Sequence, residues 1–245
     1  EKRMYENHTW TANIITLFPE MFPGALSYSL SGKALKNNLW NLKTFNLREF
    51  ASDIRKTTDG PPAGGGAGQI LKADVLDSAI SYIIKKNSNY KRDDWPIIAL
   101  SPRGKIFNQT EALKFSKCKG ITIICGRYEG FDERVLEFHK IPELSLGDFI
   151  LSGGEIAAQV LIDSVVRLIP HVIGNHKSLE EESFTNYLLE YPQYTKPISW
   201  KNLSIPNELL SGHHQNIKKW RLNKSEELTK QRRPDLWKKY KSKGN

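Results

Sequence analysis

The chain has 245 residues, 39% hydrophobic and 26% charged, a composition typical of a folded protein and unlike a disordered or fibrous one. Its formal charge of +9 is concentrated: from Lys218 onward eleven basic and three acidic residues carry +8, so a near-neutral body with a basic end points to a polyanionic partner. No stretch approaches the ~18 uninterrupted apolar residues of a membrane span. The opening residues Glu1 to His8 lack the apolar run of a secretory signal, and two cysteines, Cys118 and Cys125, argue against a disulfide staple or a zinc site; the expected compartment is the cytoplasm.

In chain order, Ala12–Phe18 reads as a short buried strand stopped by Pro19, followed by helical material to Leu39 and a second strand over Leu42–Leu47. Ala51–Gly68, dense in Gly, Pro, Asp and Thr, reads as a long loop. Val75, Leu76, Ala79, Ile80, Ile83 and Ile84, spaced by threes and fours, predict an amphipathic helix over Ala73–Lys86. A strand over Pro96–Leu100, a helix over Gln109–Lys117 and a strand over Ile121–Cys125 come next. A helix over Asp132–His139, a strand over Leu144–Leu151 and a helix over Glu155–Leu168 complete the alternation. Strands that alternate with helices and lack period-2 polarity predict an α/β domain with a mostly parallel sheet covered on both faces. After Pro170 the character changes. Residues 171–182 read as a polar linker and 183–245 as a small helical domain, with helices over His213–Lys230 and Asp235–Lys241 and a capping role for the His213-His214 pair.

Three glycine-bearing turns follow strands: Leu100-Ser-Pro-Arg-Gly104, Gly126-Arg-Tyr-Glu-Gly130 and the segment from Ser145 to Glu155. In an open α/β sheet, ligands bind outside the carboxyl ends of the strands, and glycine turns there let a ligand approach bare backbone. Taken singly, each turn reads first as a simple strand-to-helix connection. Ser152-Gly-Gly-Glu155 also fits a capping box for the helix that follows. The run from Gly60 to Gly68 lacks the Gly-Lys-Ser/Thr ending of a phosphate loop. With Arg55, Lys56 and Asp59 beside it, it suits either a loop that closes over a substrate or contacts nucleic acid, or a disordered surface loop. Asp163 and Arg167, four apart, share one helix face and read as a surface ion pair. Glu180-Glu-Glu182 reads as a solvated acidic run, and no Ser/His/Asp or Cys/His spacing supports covalent catalysis.

Taken together, Ile15-Thr-Leu-Phe-Pro-Glu-Met-Phe22, Gly64-Gly-Gly66, Leu100-Ser-Pro102, Cys125-Gly-Arg-Tyr-Glu-Gly130, Asp132-Glu-Arg134 and Gly147-Asp-Phe-Ile-Leu-Ser-Gly-Gly-Glu155 resemble the bacterial tRNA (guanine-N1)-methyltransferase (TrmD) family of the SPOUT superfamily. Leu161–Val165, Ser183-Phe184, Tyr194–Pro197, Leu209–His213 and Trp220-Arg221 continue the resemblance, in order, from about Asn13 to Trp237.

The resemblance implies a SPOUT-type parallel sheet whose C-terminal part threads a deep trefoil knot, in a cofactor-binding and dimerisation domain over residues 1–170. A flexible linker over 171–182 and a small all-α, basic tRNA-binding domain over 183–245 follow. It implies S-adenosylmethionine as cofactor, a homodimer with the active site at the subunit interface, and methylation of guanine N1 at tRNA position 37, next to the anticodon. By the same likeness Leu100, Ser101, Pro102, Gly126, Tyr128, Glu129, Ser145, Leu146, Gly147, Leu151, Gly153 and Gly154 are cofactor contacts. Glu182 takes the place of the family's general base, an Asp directly before Ser-Phe, with Glu181 as the alternative if the register slips. Arg167 matches the catalytic Arg, acting across the dimer interface. The chemistry needs no metal, although Mg²⁺ is reported as helpful in the family. Gly60, Ala63, Gln69 and Phe149 depart from the family pattern near the target base. Two other readings share these features: a SPOUT methyltransferase acting on another RNA nucleotide, and a non-catalytic RNA-binding protein.

Overall fold

The computed structural model describes residues 9–173 and 182–243. The chain divides into two compact units, Glu1–Gly174 and Asn175–Asn245. The first is built on a five-stranded sheet of β1 (Trp10–Thr16), β2 (Trp40–Asn46), β5 (Ile97–Ile106), β6 (Gly120–Cys125) and β7 (Glu143–Ser145). The strands run in the order β2-β1-β6-β5-β7, and every neighbouring pair is parallel. Alternate residues feed opposite faces. Ala12, Ile14, Ile98, Ile121 and Ile123 pack with α1 (Ser29–Lys36), α3 (Gln109–Ser116) and α5 (Gly154–Val166). Ile15, Ile97, Ala99 and Ile124 pack with α2 (Ala73–Lys86) and α4 (Glu133–His139). Both faces are buried along β1, β6 and the first half of β5, whereas the edge strand β2 leaves Asn41, Lys43 and Thr44 exposed.

Helix α2 falls where the 3.6-residue period predicts it, with five of the six stripe residues buried; Ile84 instead faces solvent. The largest departures from expectation lie at the carboxyl edge of the sheet. The strand expected over Pro96–Leu100 runs on to Ile106, and its pairing with β7 slips between Leu100 and Lys105. Residues 101–104 thus bulge out of the sheet instead of ending it. The strand expected over Leu144–Leu151 is only three residues long. Beyond Ser145 the chain is a loop whose Phe149, Ile150 and Leu151 are exposed, Ile150 at 79%. The expected long loop over 51–68 contains β3 (Asp59–Gly60), which pairs antiparallel with β4 (Ile70–Leu71).

In the second unit, α6 (Asn207–Leu210), α7 (His214–Arg232) and α8 (Pro234–Ser242) follow a two-stranded hairpin, β8 (Ser199–Trp200) and β9 (Leu203–Ser204). The unit is therefore not purely helical among its described residues. The hairpin turns on Lys201 and Asn202, both left-handed at φ 47° and 64°, the backbone that two-residue hairpin loops require. His213 precedes α7, but its side chain does not cap the helix. Thr229 bonds back to Ser225 O at 2.6 Å and accepts from Leu189 N at 2.8 Å, tying α7 to the preceding chain. Among the described residues, no helix is long and apolar enough to cross a membrane.

Candidate functional site

The bulge after Leu100, the turn after β6 and the loop between β7 and α5 meet at the carboxyl edge of the sheet. Together they wall a cavity of about 900 Å³. Leu100, Ser101 and Pro102 come from the first segment, Gly126, Tyr128 and Glu129 from the second. Ser145, Leu146, Gly147, Leu151, Gly153 and Gly154 come from the third. All twelve residues singled out by the resemblance thus line one cavity. Gly60, Pro61 and Ala63 border it as well, which places the glycine-rich 60–68 run at the mouth of the site.

Local chemistry fixes each wall. Ser145 Oγ donates to Gly147 O and accepts from Gly147 N, both at 3.1 Å, closing a tight turn. Tyr128 is left-handed at φ 57°, a conformation non-glycine residues hold only when their surroundings over-determine it. The turn around it is held by Gly130 N on Arg127 O at 3.1 Å and Glu129 N on Gln69 O at 3.0 Å. Gly154 N donates to Gly126 O at 2.8 Å, and an antiparallel bridge joins Arg127 to Gly153, so the second and third segments are laced together.

Gly154 is held to glycine by space. A Cβ there would lie 2.8 Å from both Cys125 Cα and Gly126 N, which are backbone atoms. Alanine favours a helix interior by at most about 1 kcal/mol over glycine, whereas overpacking costs about 1–3 kcal/mol, so the clash wins. Gly154→Ala is expected to lower stability in urea titrations and to weaken any ligand bound in the cavity. Unchanged stability would mean that the two backbones separate freely.

Charges ring the site. Arg103 bridges Glu133 at 2.7 Å and Glu143 at 3.0 Å, and those two carboxylates, Glu133 foremost, raise its pKa. The Arg134 guanidinium bonds Asp132 and holds that carboxyl below its usual range. Deeper in, the expected capping box is absent. Gly153 occupies the N-cap position of α5, and Glu155 turns inward, fully buried. Its Oε1 accepts from Thr16 Oγ1 at 2.7 Å, and its Oε2 pairs with Arg127 at 2.9 Å. Nothing local in the sequence marks this trio, because Thr16, Arg127 and Glu155 lie on three separate segments. Burial pushes the Cys125 thiol well above its ordinary range and also raises Cys118; neither is a ready nucleophile at neutral pH.

The two expected catalytic residues lie outside this cavity's lining. Arg167 is the C-cap of α5, with its backbone N–H on Asp163 O at 3.3 Å. The cavity meets the other end of that 13-residue helix, about 20 Å away at 1.5 Å per residue. Glu182 is half-buried in the second unit, whereas Glu180 and Glu181 lie outside the described residues. Among the described residues, no group of three or more His, Cys, Asp or Glu side chains is placed to hold a metal ion.

The chain's residues 11–239 match the family described as tRNA (Guanine-1)-methyltransferase TrmD. A protein named tRNA (guanine-N(1)-)-methyltransferase from Cereibacter sphaeroides is 54% identical over 231 residues, covering 94% of this chain and 92% of the relative. One of the same name from Pelagibacter ubique is 54% identical, covering 95% of this chain and 99% of its own length. A third, from Zymomonas mobilis, is 49% identical over 96% of this chain and 93% of the relative. With similarity running in order through the cavity-lining turns and on into the basic helices, the chain belongs to the tRNA (guanine-1)-methyltransferase TrmD family.

Proposed function

We propose that the chain transfers a methyl group from S-adenosylmethionine to N1 of a tRNA guanine, the one at position 37 beside the anticodon. The observation that carries this reading is the convergence of three glycine-bearing segments on one cavity, in a chain of this family. The cavity fits the cofactor. It is large enough for a nucleoside with an amino-acid arm, it offers bare backbone at Gly126, Gly147, Gly153 and Gly154, and at Gly154 a Cβ would strike the neighbouring backbone. Bound there, S-adenosylmethionine supplies a methyl group already activated on a sulfonium.

Guanine N1 holds a proton at neutral pH and is no nucleophile until it loses it. Glu182 takes that proton as general base, and Arg167 offsets the negative charge that spreads onto O6. Because Arg167 and the cavity occupy opposite ends of α5, each active site draws its arginine from a second copy of the chain in a homodimer. The target base leaves its stack to reach the cavity. The basic 183–245 region grips the anticodon arm, with affinity that falls steeply as salt rises. The chain is knotted where it leaves β7 and passes the Gly126 turn, a reading that rests on its family. The compartment is the cytoplasm, where tRNA is modified.

Titrating the full chain with S-adenosylmethionine, with and without unmodified tRNA, tests this directly. The expected result is cofactor binding and methyl transfer, with the methylated base mapped to position 37 by nuclease digestion and mass spectrometry. Methylation mapped elsewhere overturns the target assignment. RNA binding with no cofactor uptake makes the protein a non-catalytic RNA binder.

A further inference from the structure

The proposed reaction uses the glycine turns with Glu182 and Arg167, but it leaves two features without a role. One is the motif Ile15–Phe22; the other is the buried Arg127–Glu155 pair. The structure joins them. Thr16 Oγ1 donates to Glu155 Oε1 at 2.7 Å and accepts from Phe18 N at 2.9 Å. The Arg127 guanidinium lies 4.4 Å over the Phe18 ring, reaches Met21 Sδ at 3.5 Å and bonds Ser152 O at 3.3 Å. Gln159, one turn along α5 from Glu155, donates to Met21 O at 3.0 Å. Gly153 has no side chain where the guanidinium passes; a Cβ there would collide with it. One arginine therefore ties its own Gly126–Gly130 turn to two other segments: the turn after β1 and the start of α5.

A fully buried carboxylate is a poor device for stability alone. Its desolvation cancels much of the attraction, and apolar replacements of such pairs are often neutral or stabilising. What the guanidinium supplies here is geometry: one nitrogen bonds Ser152 O while another faces Glu155 and Met21, so a single planar group sets the spacing of the segments it joins. The residue after Arg127 is the left-handed Tyr128, whose conformation needs such bracing.

We infer that Arg127 is a positioning residue. Clamped between Glu155 and the Thr16–Met21 segment, it sets the two central cavity turns at the spacing that S-adenosylmethionine requires, and it acts through those turns. The inference rests on the proposed cofactor and assigns the Ile15–Phe22 motif the task of bracketing the guanidinium.

The test uses the full chain with three variants, following thermal unfolding, cofactor affinity by calorimetry, and KM against kcat in methyl transfer. Arg127→Met strands a buried carboxylate and is expected to lower the melting temperature and weaken the cofactor together. Arg127→Met with Glu155→Met removes both charges. Its melting temperature is expected to recover while cofactor affinity stays reduced by about tenfold or more, with the loss falling on KM for the cofactor. Arg127→Lys keeps the charge but loses the fork, and it is also expected to bind the cofactor more weakly while remaining folded. A double variant that regains wild-type affinity along with its stability makes the pair structural only and overturns the inference. If that variant does not fold, Arg127→Lys decides, and wild-type affinity in it is the overturning result. A wild-type chain that takes up no S-adenosylmethionine overturns the proposed function itself, a failure distinct from either.

Discussion

Glu182→Ala is expected to lose methyl transfer by about 10²–10⁴-fold, the usual contribution of a positioned general base, while S-adenosylmethionine still binds. The separation of the two effects follows from placement. Glu182 belongs to the second unit, and every residue that lines the cavity belongs to the first. Removing its carboxylate leaves the cofactor walls intact but leaves the N1 proton without an acceptor. Glu182→Gln, which keeps the size and loses the base, is expected to be as inactive as the alanine variant. Glu182→Asp retains a carboxylate with shorter reach and is expected to keep measurable turnover. Glu181→Ala is expected to behave as wild type. Tritiated-methyl transfer to unmodified tRNA, with calorimetry for the cofactor, reads all four. Near-wild-type turnover in Glu182→Ala sinks its assignment as base, and inactivity of Glu181→Ala alone moves the role one residue back.

The second large effect is expected at Arg167. A cation that meets charge developing in the transition state is typically worth about 10²–10³ in turnover, so Arg167→Ala should fall by that factor with its cofactor affinity preserved. The about 20 Å between Arg167 and the cavity along α5 adds a sharper consequence. If the arginine serves the partner's cavity, two inactive chains complement each other. Mixing Arg167→Ala with a variant whose own cavity is closed, such as Gly154→Val, should restore activity, because the mixed dimer holds one intact site. Weak cofactor binding with normal turnover at saturation removes the catalytic role of Arg167. Failure of the mixture to regain activity argues that the arginine works within its own chain.

What the sequence made legible, and what it hid, divides by the range of the interactions involved. Helix α2 is readable because its burial has a local period, and the sheet because uninterrupted β-branched runs are buried on both faces. The error at Leu144–Leu151 comes from taking hydrophobicity for burial; Phe149, Ile150 and Leu151 are apolar but sit in an exposed loop at the cavity. The capping box at Ser152–Glu155 has the right spacing, yet Glu155 is claimed by Thr16, 139 residues away in sequence, and by Arg127. No window of residues can display such a partner. Physical reading alone placed three permissive turns at the carboxyl edge of a sheet. The naming of twelve particular residues there came from the family resemblance, and the structure gathers all twelve around one space.

The cavity's construction from main chain has a consequence for selection. A ligand that draws its hydrogen bonds from the main chain of the cavity wall engages carbonyls that no substitution deletes and N–H groups that only proline removes. At Gly154 every substitution adds a Cβ facing the backbone of Cys125 and Gly126, and at Gly153 one facing Arg127. Escape from an inhibitor built on those contacts would have to come through the exposed rim, from residues such as Phe149, Ile150 or Ala63. Resistance is therefore expected to arise slowly in the walls and first at the mouth.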